Sequence, residues 1–202
     1  MRMTAPVLAV GLAACSPRAV RYAAPDLASR LPASVAVLPF DNESVSLKGP
    51  LMLRALASEA LAARGFAQPE AAAVDAGLGR LGVTDGGQMR ALDPKKVGEA
   101  VGAPGLLFGT LEEFTYQNVG FVRRRAVRVT LRLVEAATGE RLWEGVGDES
   151  HGRFAFGRKE AGRNFVDGVV EQAVETALGV PLMLESRVAV EEALDGLPRR
   201  NE

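Results

Sequence analysis

The sequence predicts an α/β protein with a single mixed β-sheet and helices packed on its faces, ending in an antiparallel three-strand meander followed by a long helix. The chain has 202 residues, enough for one domain with a real core. Residues 34–40 form a near-continuous apolar run, which is typical of a strand covered on both faces. Residues 127–133 alternate between apolar and polar side chains, which indicates a half-buried strand.

The remaining elements follow from capping residues and periodicity. Pro50 suits the first turn of a helix that ends before Gly65, and Asp93-Pro94 is typical of a helix start. Gly139 suits the turn of a hairpin. After the first strand, the predicted elements are helices over residues 50–64, 69–81 and 93–102, a short strand at 66–68, strands over 105–116, 127–133 and 141–146, and helices over 158–178 and 182–194.

One glycine pattern in this region resembles a nucleotide-binding fingerprint by letter. Residues 77–82 read G-x-G-x-x-G. A dinucleotide loop needs a strong strand before it and a helix that opens at its third glycine. Here an alanine-rich segment precedes the pattern and a glycine-rich break follows it, so we interpret it as a helix end and a loop.

The amino terminus predicts a lipid anchor. Arg2 precedes an uncharged segment, Ala5 to Ala14, that is too short to span a bilayer. Leu12-Ala13-Ala14-Cys15 resembles the lipobox of bacterial lipoproteins, which implies a diacylglyceryl thioether on Cys15. Ser16 then implies transfer to the outer membrane. The predicted organisation is a signal peptide at 1–14, a lipidated N-terminus and flexible tether at 15–33, one periplasmic domain at 34–195 and a disordered tail at 196–202.

Composition excludes several classes of function. The formal net charge of −1 gives no bulk attraction to nucleic acid. A single cysteine rules out an intramolecular disulfide and cysteine-based zinc sites, and a single histidine rules out sites that need two imidazoles. We therefore expect no cofactor and no metal.

Three stretches together resemble a known family. They are Val35 to Ser44, Gly105 to Leu111, and Val129 to Trp143. Their order resembles an uncharacterised family of bacterial lipoproteins related to the curli secretion lipoprotein CsgG, the amino-terminal domain of TolB and the LpoB-type activators of peptidoglycan synthases. The resemblance covers roughly residues 34–150. It implies a lipid-tethered periplasmic α/β domain, and it offers no catalytic residues.

Acidic pairs and the single histidine are the only candidates for catalysis, and we assign no catalytic residue. Neighbouring residues of a strand point to opposite faces, so Glu112-Glu113 and Asp148-Glu149 should not converge on one substrate. His151 lies beside Gly152 in a predicted loop, where an exposed histidine is the simpler interpretation.

Polar residues at strand ends and on one strand face are the candidates for partner binding. Loops at sheet ends often carry function, although turn chemistry also explains Asp and Asn there. Alternation places three arginines of one strand on the same face, as a basic stripe or a merely solvated surface. The candidate residues are Asp41, Asn42, Glu43, Tyr116, Asn118, Arg124, Arg128 and Arg132.

These observations predict a non-enzymatic envelope lipoprotein on the periplasmic face of the outer membrane. Its expected partners are another envelope protein or a second copy, with the lipid anchor in the membrane. One alternative is a subunit of a CsgG-like secretion pore. It is less favoured because the loop between Tyr116 and Arg123 is short and residues 148–158 lack a long alternating pattern. The other alternative is a periplasmic protein that binds a small ligand.

Overall fold

Six strands form one mixed sheet, which confirms the predicted fold class. The structure is a computed structural model that describes residues 19–119, 122–154 and 182–200. The strands are β1 (Val20–Ala23), β2 (Val35–Val37), β3 (Asp41–Asn42), β4 (Gly105–Val119), β5 (Val122–Glu135) and β6 (Arg141–Phe154). Their spatial order is β1-β6-β5-β4-β2, and β3 also pairs with β4. β2 and β3 run parallel to β4, and the other pairs are antiparallel.

Local sequence signals explain the helix ends. The helices are α1 (Gly49–Ala63), α2 (Ala71–Arg80), α3 (Pro94–Val101) and α4 (Met183–Ala193), with 3₁₀ turns at Leu27–Arg30 and Gly86–Ala91. The Asp93 side chain caps α3 by accepting a hydrogen bond from the Lys95 N–H, and Gly102 ends it with φ of 72°. The predicted helix at 158–178 lies outside the described residues.

The long strands β4, β5 and β6 divide their side chains between two faces. Face 1 is the side that carries Leu107, Leu111, Val129, Leu131 and Leu133, all fully buried. The helices α1 and α4 pack on face 1. Face 2 is the opposite side, where α2 and α3 cover the inner part around Leu106 and Ala136. The predicted alternation of β5 is therefore confirmed.

Two glycines of β6 let α4 lie directly on face 1. A Cβ atom added to Gly147 would lie 1.7 Å from the Ala189 carbonyl oxygen, and one added to Gly145 would lie 2.1 Å from that of Ala193. No larger side chain fits at either position unless α4 moves away. Trp143, on the same face, is fully buried beside them.

The ordered fold extends beyond both predicted boundaries. Residues expected to form a flexible tether include β1, which pairs with β6, and Leu27, which is buried. The prediction that the domain begins at residue 34 is therefore wrong. This segment is short and interrupted by prolines, so it has no periodicity that predicts a strand. It is ordered because its backbone groups pair with the edge of β6. At the other end, Leu197 is buried and the Arg200 N–H donates to the Arg64 carbonyl, so a tail that is disordered from 196 is wrong up to residue 200.

The strands of the meander are longer than predicted. β4 continues to Val119, and β6 continues into the loop predicted at residues 152–157, as far as Phe154. Strand structure therefore extends to residue 154 although residues 147–154 carry no alternating apolar pattern. By contrast, the predicted strand at 66–68 is reduced to one bridge between Ser34 and Ala67. The G-x-G-x-x-G segment ends α2 as predicted, and Gly77 allows close packing against the Ala100 carbonyl.

Candidate functional site

The outer part of face 2 carries a row of ion pairs, which we call the outer stripe. Its exposed or partly exposed members are Glu112, Glu113, Arg124, Arg128, Asp148 and Ser150. Arg124 lies 2.7 Å from a Glu113 oxygen. Arg128 contacts Glu112 at 2.8 Å and Asp148 at 3.0 Å. The predicted basic stripe is therefore a stripe of alternating charge.

A β-bulge brings both glutamates of this stripe to one face. The β4–β5 register shifts between Leu111 and Glu113. As a result, Glu112 accepts a hydrogen bond from the Thr130 hydroxyl, and Glu113 pairs with Arg124 on the same face. The prediction that Glu112 and Glu113 point to opposite faces is wrong, because strict alternation ends at the bulge.

Arg132 continues the row of arginines but has a different environment. Its guanidinium lies 5.0 Å from the centroid of the Phe108 ring. On the neighbouring strand β6, Glu144 lies opposite Arg132 on the same face. Its carboxylate pairs with Arg141 at 2.9 Å rather than with Arg132. The Nε atom of Arg132 is buried without a hydrogen-bond partner. Among the residues that the structure describes, Arg132 makes no hydrogen bond or ion pair.

A cleft of about 360 Å³ opens beside Arg132. Strand residues form its floor, and the 3₁₀ turn Gly86–Ala91 forms one wall. The lining residues are Pro39, Asp41, Gly86, Met89, Arg90, Phe108, Gly109, Thr110, Thr130, Arg132 and Glu144. Six of these residues are polar or charged, and Pro39, Met89 and Phe108 form the apolar part of the lining.

The wall of the cleft is fixed by local hydrogen bonds and close packing. Asp85 accepts from the Gly87 N–H at 2.7 Å, and the Gln88 side chain accepts from the Thr84 and Asp85 N–H groups. A Cβ atom at Gly86 would lie 2.1 Å from the Phe40 carbonyl oxygen. The backbone of this turn thus rests directly on the backbone that leads into β3.

The predicted loop candidates have separate roles. Asp41 and Glu43 both pair with Arg90 at the rim of the cleft. The hydrogen bond to Glu43, followed by the charge of Asp41, raises the pKa of Arg90. Asn42 instead holds the following loop, donating to the Ser46 carbonyl at 2.9 Å and accepting from Ser44. Turn chemistry, the simpler interpretation, therefore accounts for Asn42.

Tyr116 does not join the arginines of face 2. Register places it on face 1 of β4, opposite Arg125, and pairs the Asn118 backbone with that of Arg123. The Arg125 guanidinium lies 5.2 Å from the Tyr116 ring centroid. The side chain of Asn118 lies outside the described part of the chain. The eight candidate residues thus fall into at least two regions rather than one site.

A buried ion pair on face 1 was missed by the sequence analysis. Arg125 contacts Glu185 of α4 through Nε and through Nη2, the latter at 3.1 Å, and both side chains are at most 9% exposed. Burial is the largest influence and raises the pKa of Glu185. Hydrogen bonds from Arg125 and the backbone, together with the charges of Arg125 and His151, nevertheless hold that pKa below its ordinary value. No local pattern links residues 60 positions apart.

The other catalytic candidates do not form a cluster. Glu149 contacts His151 Nδ1 at 3.1 Å, and the His151 side chain is 67% exposed, in agreement with the simpler interpretation.

In the described ranges, no group of three or more His, Cys, Asp or Glu side chains is arranged to hold a metal ion. Cys15 lies outside these ranges. None of the described helices is both long and apolar enough to cross a bilayer.

The fold and these surfaces define a small α/β domain in which α1 and α4 pack on one face of the sheet, and a cleft and a row of ion pairs lie on the other. The sequence profile of the family described as "Putative lipoprotein GNA1162-like" matches residues 22–185. The chain belongs to this family, which indicates a lipid-anchored location in the envelope. This confirms the prediction that the chain belongs to a family of bacterial lipoproteins. A relation of that family to CsgG and TolB stays a prediction.

The chain is also similar in sequence and in structure to lipoproteins of Neisseria meningitidis. The chain is 30% identical over 116 residues to "Putative lipoprotein NMB1124/NMB1162" of Neisseria meningitidis serogroup B, a match that covers 56% of this chain and 53% of the relative. The match thus spans about half the length of that relative. The crystal structure of lipoprotein GNA1162 from N. meningitidis is similar with a TM-score of 0.56 and 26% identity, covering 71% of this chain and 99% of that one.

A more distant similarity concerns the fold alone. PelC of Paraburkholderia phytofirmans, described as a dodecamer, has a TM-score of 0.51 and 16% identity, covering 83% of this chain and 89% of that one. The LpoB fold is also similar, but at a level that does not bear on function.

Proposed function

We propose that this protein is a lipid-anchored envelope protein without catalytic activity that binds another envelope protein, or a second copy of itself, through the outer stripe. The membrane anchor in this proposal is Cys15, and the location is the periplasmic face of the outer membrane. The family supports the anchor, and the outer stripe supports the mode of action. The ion pairs of the outer stripe are the single observation that carries the docking role.

The outer stripe presents charged groups whose positions are already fixed. Arg124 is 51% exposed and Asp148 is 43% exposed, yet each is held by a partner of opposite charge. Exposed ion pairs of this kind contribute little to folding, about 0–1 kcal/mol each. They do favour recognition, because ordered side chains lose less entropy on binding and alternating charge selects a complementary surface.

The anchor would hold the domain close to the bilayer. The Ala19 carbonyl accepts a hydrogen bond from the Val146 N–H at 2.7 Å, so the chain is held against β6 from residue 19 onward. Cys15 precedes it by four residues. Four fully extended residues span at most about 14 Å. The outer stripe would therefore meet partners near the membrane surface, rather than at the distance that a tether to residue 33 allows.

Site-directed photo-crosslinking of the full-length protein in cells tests the docking role. A photoreactive residue at Ser150 lies in the outer stripe, and one at the exposed Lys96 of α3 is the matched control. We expect a discrete crosslinked species from position 150 and none from position 96. Charge reversal by Arg128→Glu should remove that species, because the ion pairs to Glu112 and Asp148 are replaced by repulsion.

The outcomes separate the alternatives. Co-expression of two differently tagged copies distinguishes self-association from a different partner. A strictly monomeric protein without a crosslink at position 150 would contradict the proposal, as would a crosslink that persists in Arg128→Glu. A large ring that conducts ions in planar bilayers would favour the pore alternative. Independently, metabolic palmitate labelling should be lost in Cys15→Ala if Cys15 carries the anchor.

A further inference from the structure

The three arginines of face 2 differ in one respect that bears on ligand binding. Arg124 and Arg128 each have a carboxylate partner within 3.0 Å. Arg132 has none among the described residues, although Glu144 is its cross-strand neighbour. The reason is that Arg141 holds the Glu144 carboxylate. The Glu144 carboxylate, which is placed to pair with Arg132, is therefore bound by Arg141.

The environment of Arg132 favours an additional anion. Its Nε atom is out of contact with solvent and lacks an acceptor, which is unfavourable for a charged donor. Stacking over the Phe108 ring, at 5.0 Å, offsets only part of this loss. An anion that reaches the guanidinium from the cleft would supply the missing charge compensation.

The cleft also has room for an apolar group next to that anion. Its volume of about 360 Å³ is within the range of small-ligand pockets. Met89, Phe108 and Pro39 line it, and the Thr110 side chain lies on the floor between the strands. A ligand with a short apolar body can contact these residues while its charged end reaches Arg132.

The charges around the cleft favour a carboxylate over a phosphate. Asp41 and Glu144 line the same space, so a dianion would meet more repulsion than a single negative charge. The planar guanidinium also matches the geometry of a carboxylate. We propose that the cleft beside Arg132 binds a carboxylate with an apolar substituent, either a free organic acid or the carboxylate of a polypeptide. This site is separate from the outer stripe, and each assignment can fail without the other.

Arg141 is a positioning residue in this proposal. It lies 2.9 Å from Glu144 and 4.2 Å from the Tyr22 ring, which keep its guanidinium on the side of β6 away from Arg132. Without Arg141, Glu144 would be free to pair with Arg132 across the strands. An internal carboxylate would then compete with the ligand. Arg141→Gln should therefore weaken binding although Arg132 and the cleft lining are unchanged.

The test is a titration of the full-length protein in detergent with 3-phenylpropionate, followed by the side-chain Nε–H resonances of arginine in NMR spectra. The Arg132 resonance is assigned as the one lost in Arg132→Lys. We expect a saturable shift of this resonance at millimolar or lower concentration. The neutral amide of the same compound should produce at least about tenfold weaker binding, since it lacks the charge. Inorganic phosphate should also bind more weakly.

Variants keep the test decisive if one substitution affects folding. Calorimetric titration should give at least about tenfold weaker binding for Arg132→Gln and a smaller loss for Arg132→Lys. Lys96→Gln, which removes an exposed positive charge of α3 outside the cleft, should bind as the wild type does. Arg141→Gln should bind several-fold more weakly. Circular dichroism checks that each variant is folded.

The proposal is overturned if the folded wild type does not bind the carboxylate, binds the amide equally, or prefers phosphate. It is also overturned if Arg132→Gln, or Arg132→Lys should the former not fold, retains wild-type affinity. The source of the carboxylate is decided by comparing the free acid with a peptide that ends in phenylalanine and with the same peptide amidated. Stronger binding of the free-carboxylate peptide identifies a polypeptide, and equal or weaker binding identifies a small acid.

Discussion

The two faces of strands β4, β5 and β6 have the same alternation but different environments. On face 1, α1 and α4 cover the strands, and the buried Arg125 is neutralised by Glu185. On face 2, the described helices α2 and α3 pack on the inner part, and Arg124 and Arg128 pair with partly exposed carboxylates. Arg132 lies beside a cleft and has no carboxylate partner among the described residues.

This difference shows that the position of an arginine on a strand does not determine its role. Arg124, Arg125 and Arg132 belong to the same strand, β5. What distinguishes them is which carboxylate the rest of the fold brings near. A buried pair serves the fold, an exposed pair orders a surface, and an unpaired cation beside a cavity is available to a ligand.

The largest expected effect is on face 1. Glu185→Ala removes the carboxylate that neutralises the buried Arg125, and removing one member of a buried pair usually lowers the free energy of unfolding by about 3–5 kcal/mol. Urea denaturation of the full-length protein, followed by the fluorescence of Trp143, measures the loss. The matched face-2 substitution, Arg128→Gln, should change it by at most about 1 kcal/mol. Equal losses in the two variants would contradict the distinction between the faces.

A smaller effect is expected from the contact between α4 and face 1. In Gly147→Ala, the new Cβ collides with the Ala189 carbonyl oxygen, so α4 must shift, at about 1–3 kcal/mol of stability. Gly152→Ala is the control on the same strand, because nothing lies within 4 Å of its added Cβ. We expect no loss for the control in the same denaturation experiment. A loss of equal size at both positions would indicate a general requirement for glycine in β6.

The smallest expected effect is a pH dependence specific to face 1. Because the pKa of Glu185 is held below its ordinary value of 4.5, the group stabilises the fold above that pH. This contribution is lost as the pH falls through the native pKa. The stability difference between wild type and Glu185→Gln should therefore shrink on acidification below pH 4.5. Parallel denaturation series across this range measure it, and a constant difference would count against the ionised pair.

Much of the fold was predictable because it depends on local signals. Alternation placed Arg124, Arg128 and Arg132 on one face, and the caps of α1 and α3 followed from proline, aspartate and glycine. The candidate site was predictable only in part. Because of the bulge after Leu111, Glu112 and Glu113 lie on the same face, and no residue pattern predicts that bulge. The wall formed by residues 86–91 came from a segment that carried no functional signal.

The sequence by itself determined the alternating strands, the helix ends, the hairpin turn and the family of the protein. Each of these depends on residues that are close in the chain or on a recognisable order of motifs. The tertiary structure decided which charges meet: Arg125 with Glu185, Glu144 with Arg141, and Arg132 with no described partner. Electrostatic pairing depends on distances of a few ångströms between distant segments, and periodicity along one segment does not encode those distances.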